Sequence, residues 1–399
     1  MTVISCEMNY KSFIASSFLL ILLLHLSTKM TIDYNEILQI IFGGMVAFIL
    51  VFMSIPTILK VAYSKSLYDE PGKRHIHKNR VTTLGGMAIF FGILFSYTVY
   101  LDWFDFRSIP YLIPSLLIIF SIGIKDDILV TAPIMKLIGQ VLAALIIVGF
   151  GNLRITDFHG FFGLEPDYFV SLAFSMVFIV FIVNGFNLID GVDGLAAFTG
   201  IITIIGFSVW FYINGDIMMP VLGAIIVGAL LAFLYFNVFS KTQKIFMGDT
   251  GSLVVGFLVA VFAIVFMEFN VEELRPSLNY TMTSAPGVAL GILIVPVVDT
   301  LRVFFIRLSK GQSPFAADKT HIHHRLLTLG FSHLKIALML AAVNIFFIAL
   351  SFLLKDFGTI RLLLLNMVLG IAVFQLPSLA IRRKLRKMRN KSRITANIP

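Results

Sequence analysis

"NGFNLIDGVDGL", residues 184–195, is a polar interruption between two apolar runs, 168–187 and 196–213. It holds two aspartates, two asparagines and three glycines. Each flanking run is close to the ~20 residues that cross a bilayer core. A carboxylate is costly inside that core, so Asp190 and Asp193 mark where the chain leaves it. The stretch reads as a turn between two spans, carrying two charges that a plain turn would not need.

The same alternation continues along the chain. Of 399 residues, 58% are hydrophobic and 13% are charged, against about a quarter charged in a soluble domain. Apolar runs fall at roughly 37–60, 84–101, 110–124, 133–150, 168–187, 196–213, 218–239, 252–268, 285–306, 336–354 and 359–380. The third is short and holds Pro110 and Pro114. The expected fold is all-α, a polytopic integral membrane protein with about eleven transmembrane helices. Residues 31–380 form one membrane domain, and 381–399, with "RRKLRKMRNKSR", form a basic tail. Residues 1–30 are an apolar extension containing a twelfth run, "FIASSFLLILLL" at 13–24. It suits a signal-like segment, a further span, or a stretch upstream of a start at Met30. The last is favoured, because "MTIDYNEILQ" makes a short polar beginning. The single cysteine, Cys6, excludes an intramolecular disulfide.

Basic residues orient the chain. Segments 60–80, 125–136, 241–244, 302–335 and 381–399 hold 24 Lys and Arg, and the opposite loops hold five. The first set is therefore expected on the cytoplasmic side. The net charge of +9 is mainly this topology signal. The tail also suits contact with anionic membrane lipids, and nothing points to nucleic acid.

The acidic residues separate by side. External ones, such as Asp102, Asp105, Glu272 and Glu273, are scattered. Cytoplasmic ones are grouped at helix ends: Asp126–Asp127, Asp190 with Asp193, and Asp249, while Asp299 lies inside a span. Aspartate is a common helix cap, so each alone is ordinary; the grouping at one membrane depth suggests a shared site. Adjacent carboxylates raise each other's pKa unless a cation intervenes, and Mg²⁺ favours such oxygen ligands together with substrate phosphates. "FMGDTGSLVVGF", 246–257, puts small and polar residues before a span, where helix N–H groups or Asp249 suit a phosphate or its metal. Asn184, Asn187 and Asp190 follow one helical face.

Two basic segments face these acids. "DEPGKRHIHKNRVTTLGG", 69–86, offers Lys73, Arg74 and His77 among others. "DKTHIHHRLLTLGFSH", 318–333, offers His321, His323, His324 and Arg325. Zinc is disfavoured, since there is no cysteine partner and no helical HExxH. Cationic and hydrogen-bonding groups opposite metal-binding carboxylates fit a diphosphate substrate better.

Together these motifs resemble the polyprenyl-phosphate N-acetylhexosamine-1-phosphate transferase family, which includes the undecaprenyl-phosphate N-acetylglucosaminyl 1-phosphate and phospho-N-acetylmuramoyl-pentapeptide transferases. The resemblance runs from about Asp69 to His333, through the DD turn with Lys136 and Gln140 in "MKLIGQ", the "NxxNxxDGxDGLA" stretch, "GDTGS", "PVVDTLRV" and "DKTHIHHRLL". It implies transfer of a sugar 1-phosphate from a cytosolic UDP-N-acetylhexosamine to polyprenyl phosphate in a bacterial cytoplasmic membrane, releasing UMP. It also implies a requirement for Mg²⁺, with Mn²⁺ as an alternative, and a place at the first membrane step of an envelope glycan pathway. A homodimer is compatible with it. Ile322 breaks the histidine run that the pentapeptide branch carries, which favours N-acetylglucosamine. Gly72 and Thr82–Thr83 depart from the family's usual Asn and Pro-Arg.

On this reading Asp249, with Asp126 or Asp127, holds the metal, and transfer rests on positioning and charge neutralisation. Asp126 and Asp127 are ligands first and bases second, because a phosphate monoester with a second pKa near ~6 needs little deprotonation. Lys125, Lys136, His321, His323, His324 and Arg325 hold sugar or phosphate oxygens. Asn184, Asn187, Asp190 and Asp193 belong to the nucleotide–metal pocket, with Asp193 expected to touch substrate and Asp190 to hold the turn. A secondary transporter would put its acids near the midplane, often in repeats. A CDP-alcohol phosphotransferase would carry "DGxxAR", whereas "DG" is followed here by "VDGLA".

Overall fold

The computed structural model describes residues 34–67, 81–100, 111–129, 131–160, 166–271, 280–309, 311 and 320–396, without the side chains of 385 and 387–396. The apolar extension at 1–30 and Lys73, Arg74 and His77 lie outside the described residues.

Thirteen α-helices follow in order among these residues. They are α1 (Tyr34–Ser64), α2 (Gly85–Val99), α3 (Leu112–Leu129), α4 (Pro133–Leu145), α5 (Tyr168–Ile189), α6 (Leu195–Ile213) and α7 (Met218–Leu234). After them come α8 (Gly248–Phe269), α9 (Ala285–Ile292), α10 (Ile294–Leu308), α11 (Ile322–Thr328), α12 (His333–Leu353) and α13 (Thr359–Ala396). Helices α4 and α7 each run on into one π-helical turn, Ile146–Phe150 and Tyr235–Phe239. A single parallel bridge, Thr82 to Ile245, is the only strand-like pairing among the described residues.

Local chemistry explains several helix starts. Pro133 opens α4, where its missing N–H costs nothing. Asp167 caps α5 by accepting from the N–H of Val170 at 2.8 Å. Asp216 does the same for Met219 at the start of α7, at 3.0 Å.

All eleven apolar runs fall on helices. Among the described residues eight helices are long and apolar enough to cross a membrane, and a ninth crossing is available to α9 and α10, which meet at 82°. The other two runs are α2, with 15 residues, and α3, whose last turns carry Lys125, Asp126 and Asp127. Three boundaries differ from hydropathy. Helix α8 begins at Gly248, so "GDTGS" forms its first turn rather than a linker before it. Helix α12 begins at His333, and α13 continues without a break from its apolar part to Ala396, through the basic tail.

Helix α8 is the axis of the bundle. Of its most apolar 18-residue window, 89% is buried, against 17% for α1. Helices α2, α3, α5 and α6 pack around α8, while α1 lies outside against α2 and α7. A helix walled in by others along most of its length has an N-terminal backbone that protein groups are well placed to satisfy.

Helices α1 and α7 touch backbone to backbone. A Cβ on Gly228 would stand 2.0 Å from the carbonyl oxygen of Gly44, a close approach of the small-residue kind that joins membrane helices. Gly228→Val is expected to push the pair apart, at an overpacking cost of about 1–3 kcal/mol. A lower melting temperature of the detergent-solubilised protein would register it.

Candidate active site

The site begins at the buried start of α8. The strip Thr82–Gly86 lies along the approach to that helix. Phe246 donates its N–H to the carbonyl of Thr82 at 2.9 Å, and Gly85 and Gly86 donate to Phe246 and Met247 at 2.9 and 2.8 Å. Gly248, at φ +69°, then turns the chain into the helix. Asp127 of α3 closes the helix end. Its Oδ1 accepts from the N–H of Asp249 at 2.8 Å. Its Oδ2 accepts from the N–H of Thr250 at 3.0 Å and also from the Thr250 hydroxyl. A carboxylate at the positive end of a helix is well placed electrostatically, and here it occupies the groups expected to cradle a ligand.

Asp126, one residue earlier and about 100° around the helix, faces a different partner. The Lys136 ammonium of α4 sits between Asp126 Oδ2, at 2.6 Å, and Asp249 Oδ2. Asp126 Oδ1 accepts from both the N–H and the hydroxyl of Thr131 at 2.6 Å. Two carboxylates thus converge on one cation position. Their hard oxygen donors suit a divalent cation such as Mg²⁺ as well as an ammonium. Among the described residues no set of three or more acidic, histidine or cysteine side chains is gathered around one point. A metal here would therefore take much of its coordination from water and substrate.

The opening stretch supplies the opposite wall. Asn184 donates to Gln140 of α4 at 2.7 Å and to its own helix at Val180, so it joins α5 to α4. Asn187 donates to Ser252 of α8 at 3.0 Å. The two aspartates both line the cavity and differ in their partners. Asp193 is engaged: its Oδ2 lies 2.6 Å from Lys244 Nζ and 3.0 Å from His333 Nδ1. Burial alone would raise its pKa, but these two donors hold the carboxyl below the usual range. Asp190 accepts no hydrogen bond from the described residues. Burial, then the carboxylates of Asp249, Asp127 and Asp193, push its carboxyl well above the usual range.

Behind that turn stands the histidine helix, α11. The buried Asp299 of α10 accepts from the N–H of Ile322 and from Arg302, each at 2.9 Å, and lies 3.0 Å from His321 Nδ1. Arg302, also buried, donates to the Thr320 carbonyl at 2.7 Å. His321 is therefore a structural anchor in this arrangement. His323 reaches the opening turn. A Cβ on Gly191 would stand 2.3 Å from its Nε2, so only glycine admits the ring. Burial pushes the His323 imidazole down to about 3, which keeps it neutral, and its Nδ1 is buried without a partner among the described residues. His324 lies beside it, ring centroids 4.2 Å apart. Arg325 turns away, donating to Thr320 at 3.1 Å and to Ser378 of α13.

A cavity of about 330 Å³ opens between these parts, with Asn187, Asp190, Asp193, Phe246, Asp249 and His333 in its wall. Asp249 links it to the Asp126–Lys136 pair. Lys125 is exposed on α3. Sequence reasoning did not single out Asn237, Lys244 or Arg302. Asn237, in the π turn after α7, accepts from the N–H of Gly194 at 2.6 Å and donates to Ile245 at 2.8 Å. It sits inside an apolar run, where a lone buried asparagine was the available signal.

The family model described as glycosyl transferase family 4 matches residues 109–267. The probable undecaprenyl-phosphate N-acetylglucosaminyl 1-phosphate transferase of Bacillus subtilis (strain 168) is 29% identical over 324 residues, 81% of this chain and 87% of that protein. The undecaprenyl-phosphate alpha-N-acetylglucosaminyl 1-phosphate transferase of Escherichia coli (strain K12) is 29% identical over 283 residues, 68% of this chain and 72% of its own. The decaprenyl-phosphate N-acetylglucosaminephosphotransferase of Mycobacterium leprae (strain TN) is 30% identical over 293 residues, again 68% and 72%.

Two measurements probe this geometry. Asp127→Ala strips the start of α8 of its acceptor and should cost about 1.5–3 kcal/mol per charged hydrogen bond lost, read as a lower melting temperature. Asp190 holds its proton more tightly in the folded protein than in the unfolded chain. Ligand-free stability is therefore lost as pH rises from about 4. Asp190→Asn should be more thermostable than wild type at neutral pH without divalent cations, and the gap should close as pH is lowered toward about 4.

Proposed function

We propose a reaction for this chain on the premise that it is, as its matches show, a member of glycosyl transferase family 4, the polyprenyl-phosphate N-acetylhexosamine-1-phosphate transferases. The chain transfers N-acetylglucosamine 1-phosphate from UDP-N-acetylglucosamine to polyprenyl phosphate, giving the lipid diphosphate sugar and UMP. An acceptor phosphate oxygen attacks the β-phosphorus, a new P–O bond forms, and the bond to the UMP oxygen breaks. The observation that carries the reading is the convergence of Asp126 and Asp249 on one cation position beside a polar cavity. The curated relatives, named for this transfer to undecaprenyl or decaprenyl phosphate, support it.

Asp126 and Asp249 would hold a divalent cation, Mg²⁺ or else Mn²⁺, which when bound neutralises charge on the diphosphate and the departing UMP. Lys136, released from that pair, would hold a phosphate oxygen. Asp127 acts as a positioning residue, since it orients the Asp249 turn. Asn187 and Asp190 face the donor, and neutral His323, with His324 beside it, offers ring N–H groups to sugar or phosphate oxygens. The acceptor, with a second pKa near ~6, is mostly dianionic at neutral pH and needs no strong base. The basic bias of the loops supports a cytoplasmic site and C-terminus in the inner membrane. The bent α9–α10 pair would suit a transporter, but Asp127, Asp190, Asp193 and Asp249 gather at helix ends around one cavity.

Membranes carrying the protein, given radiolabelled UDP-N-acetylglucosamine, polyprenyl phosphate and Mg²⁺, should form labelled lipid and an equal amount of UMP. Chelation should abolish this, and Mg²⁺ or Mn²⁺ should restore it. Asp249→Asn should reduce turnover to background while the protein still inserts. Labelled lipid from no UDP-sugar in a panel that includes the muramoyl-pentapeptide donor would overturn the reaction.

A further inference from the structure

Asp193 is held by two side chains that the reaction above does not use. Lys244 and His333 reach the same carboxylate oxygen, at 2.6 and 3.0 Å. The three residues come from three places: the turn after α5, the link between α7 and α8, and the first residue of α12. All are half-buried, Asp193 the most, with 13% of its side chain exposed. The base of the turn already has neutral ties to the link, through Gly194, Asn237 and Ile245. The charged contact adds the third element, α12, and sits at the cavity wall, which Asp193 and His333 share with Phe246. Lys244 also lies over the Phe246 ring, 5.6 Å from its centroid. A carboxylate half out of water is destabilised when one partner is removed, because a charge is left uncompensated. Such a group therefore keeps its position only while its partners keep theirs.

We propose that Lys244 and His333 are positioning residues for the nucleotide-sugar donor: they clamp Asp193, and with it the Asp190–Gly194 turn, along one wall of the cavity. The inference rests on the reaction proposed above. The clamped wall is polar and holds Asn187 and Asp190, which suits a nucleotide diphosphate and not a polyprenyl chain. Lys244 and His333 approach from the side of Asp193 and not through the Asp126–Lys136–Asp249 cluster. Their contribution is the same before and during transfer, and so enters donor binding without changing the chemical step.

The test pairs a disruptive with a conservative variant at each position, in membranes assayed with UDP-N-acetylglucosamine. Lys244→Met and His333→Phe should raise donor KM about tenfold, the loss of one charged hydrogen bond. They should leave kcat within about twofold and acceptor KM unchanged. Lys244→Arg keeps a cation and His333→Asn keeps a donor at the Nδ1 position, so both should recover most of the donor KM. Melting temperatures in detergent identify a variant that fails to fold, and the conservative partner at that position then decides. An active wild type with unchanged donor KM in Lys244→Met and His333→Phe overturns the clamp. So does a fall in kcat at constant KM, or a failure of the conservative variants to recover KM. A wild type that turns over no UDP-sugar overturns the reaction itself, an outcome distinct from all of these.

Discussion

The N-terminus of α8 is satisfied by protein. That helix is enclosed by its neighbours along most of its length, and its first N–H groups, at the edge of the cavity, are taken up by a carboxylate of another helix. Asp127 supplies that carboxylate from α3. Much of the site geometry follows. Capping brings the last turns of α3 to the first turn of α8, and adjacency in sequence then brings Asp126 to Asp249. The same closure presents Asp126 to Lys136 on α4. One structural requirement of a buried helix thus assembles a pair of carboxylates around a cation position.

The distribution of charge around the cavity is uneven in an informative way. Asp193 is matched by Lys244 and His333, and Asp126 and Asp249 share Lys136. Asp127 is matched by backbone dipoles. Asp190 is the carboxylate without a donor among the described residues, and burial drives it toward the protonated form. Preorganised sites of this kind hold their groups in place before the ligand arrives. Asp190 faces the cavity. A second, neutral framework surrounds this charge: Asn184 with Gln140, Asn187 with Ser252, and Asn237 with Gly194 and Ile245. It joins α4, α5, α8 and the π turn by bonds that do not depend on protonation.

The histidine helix shows how remote residues enter the site. α11 has only seven residues, about two turns, and is too short to hold its own direction. Asp299 and Arg302, inside the membrane-facing α10, hold its start through Ile322, His321 and Thr320. Gly191 lets the His323 ring close on the opening turn. The intramembrane aspartate is thus structural here: a buried ion pair whose role is to aim a helix.

Hydropathy is a local property, and what depends on it was legible in the sequence by itself. All eleven apolar runs are helices, the polar stretches fall at their ends, and the grouped aspartates do meet. Helix boundaries were less legible where capping overrides composition. "GDTGS" is polar yet helical, because Asp127 supplies from elsewhere what lipid and water do not. Partner choice was not legible at all. Asp126 and Asp127 are neighbours in sequence, as are Asp190 and Asp193 in the turn, and each pair divides by role. Nothing local distinguishes their members. The division comes from Lys136, Lys244, His333 and the start of α8, each outside the local stretch of its aspartate and within 3 Å in space. The sequence by itself determined a helical membrane protein with a shared carboxylate site. Only the tertiary structure decided which carboxylate each cation reaches, because electrostatic pairing falls off with distance through space and takes no account of order along the chain.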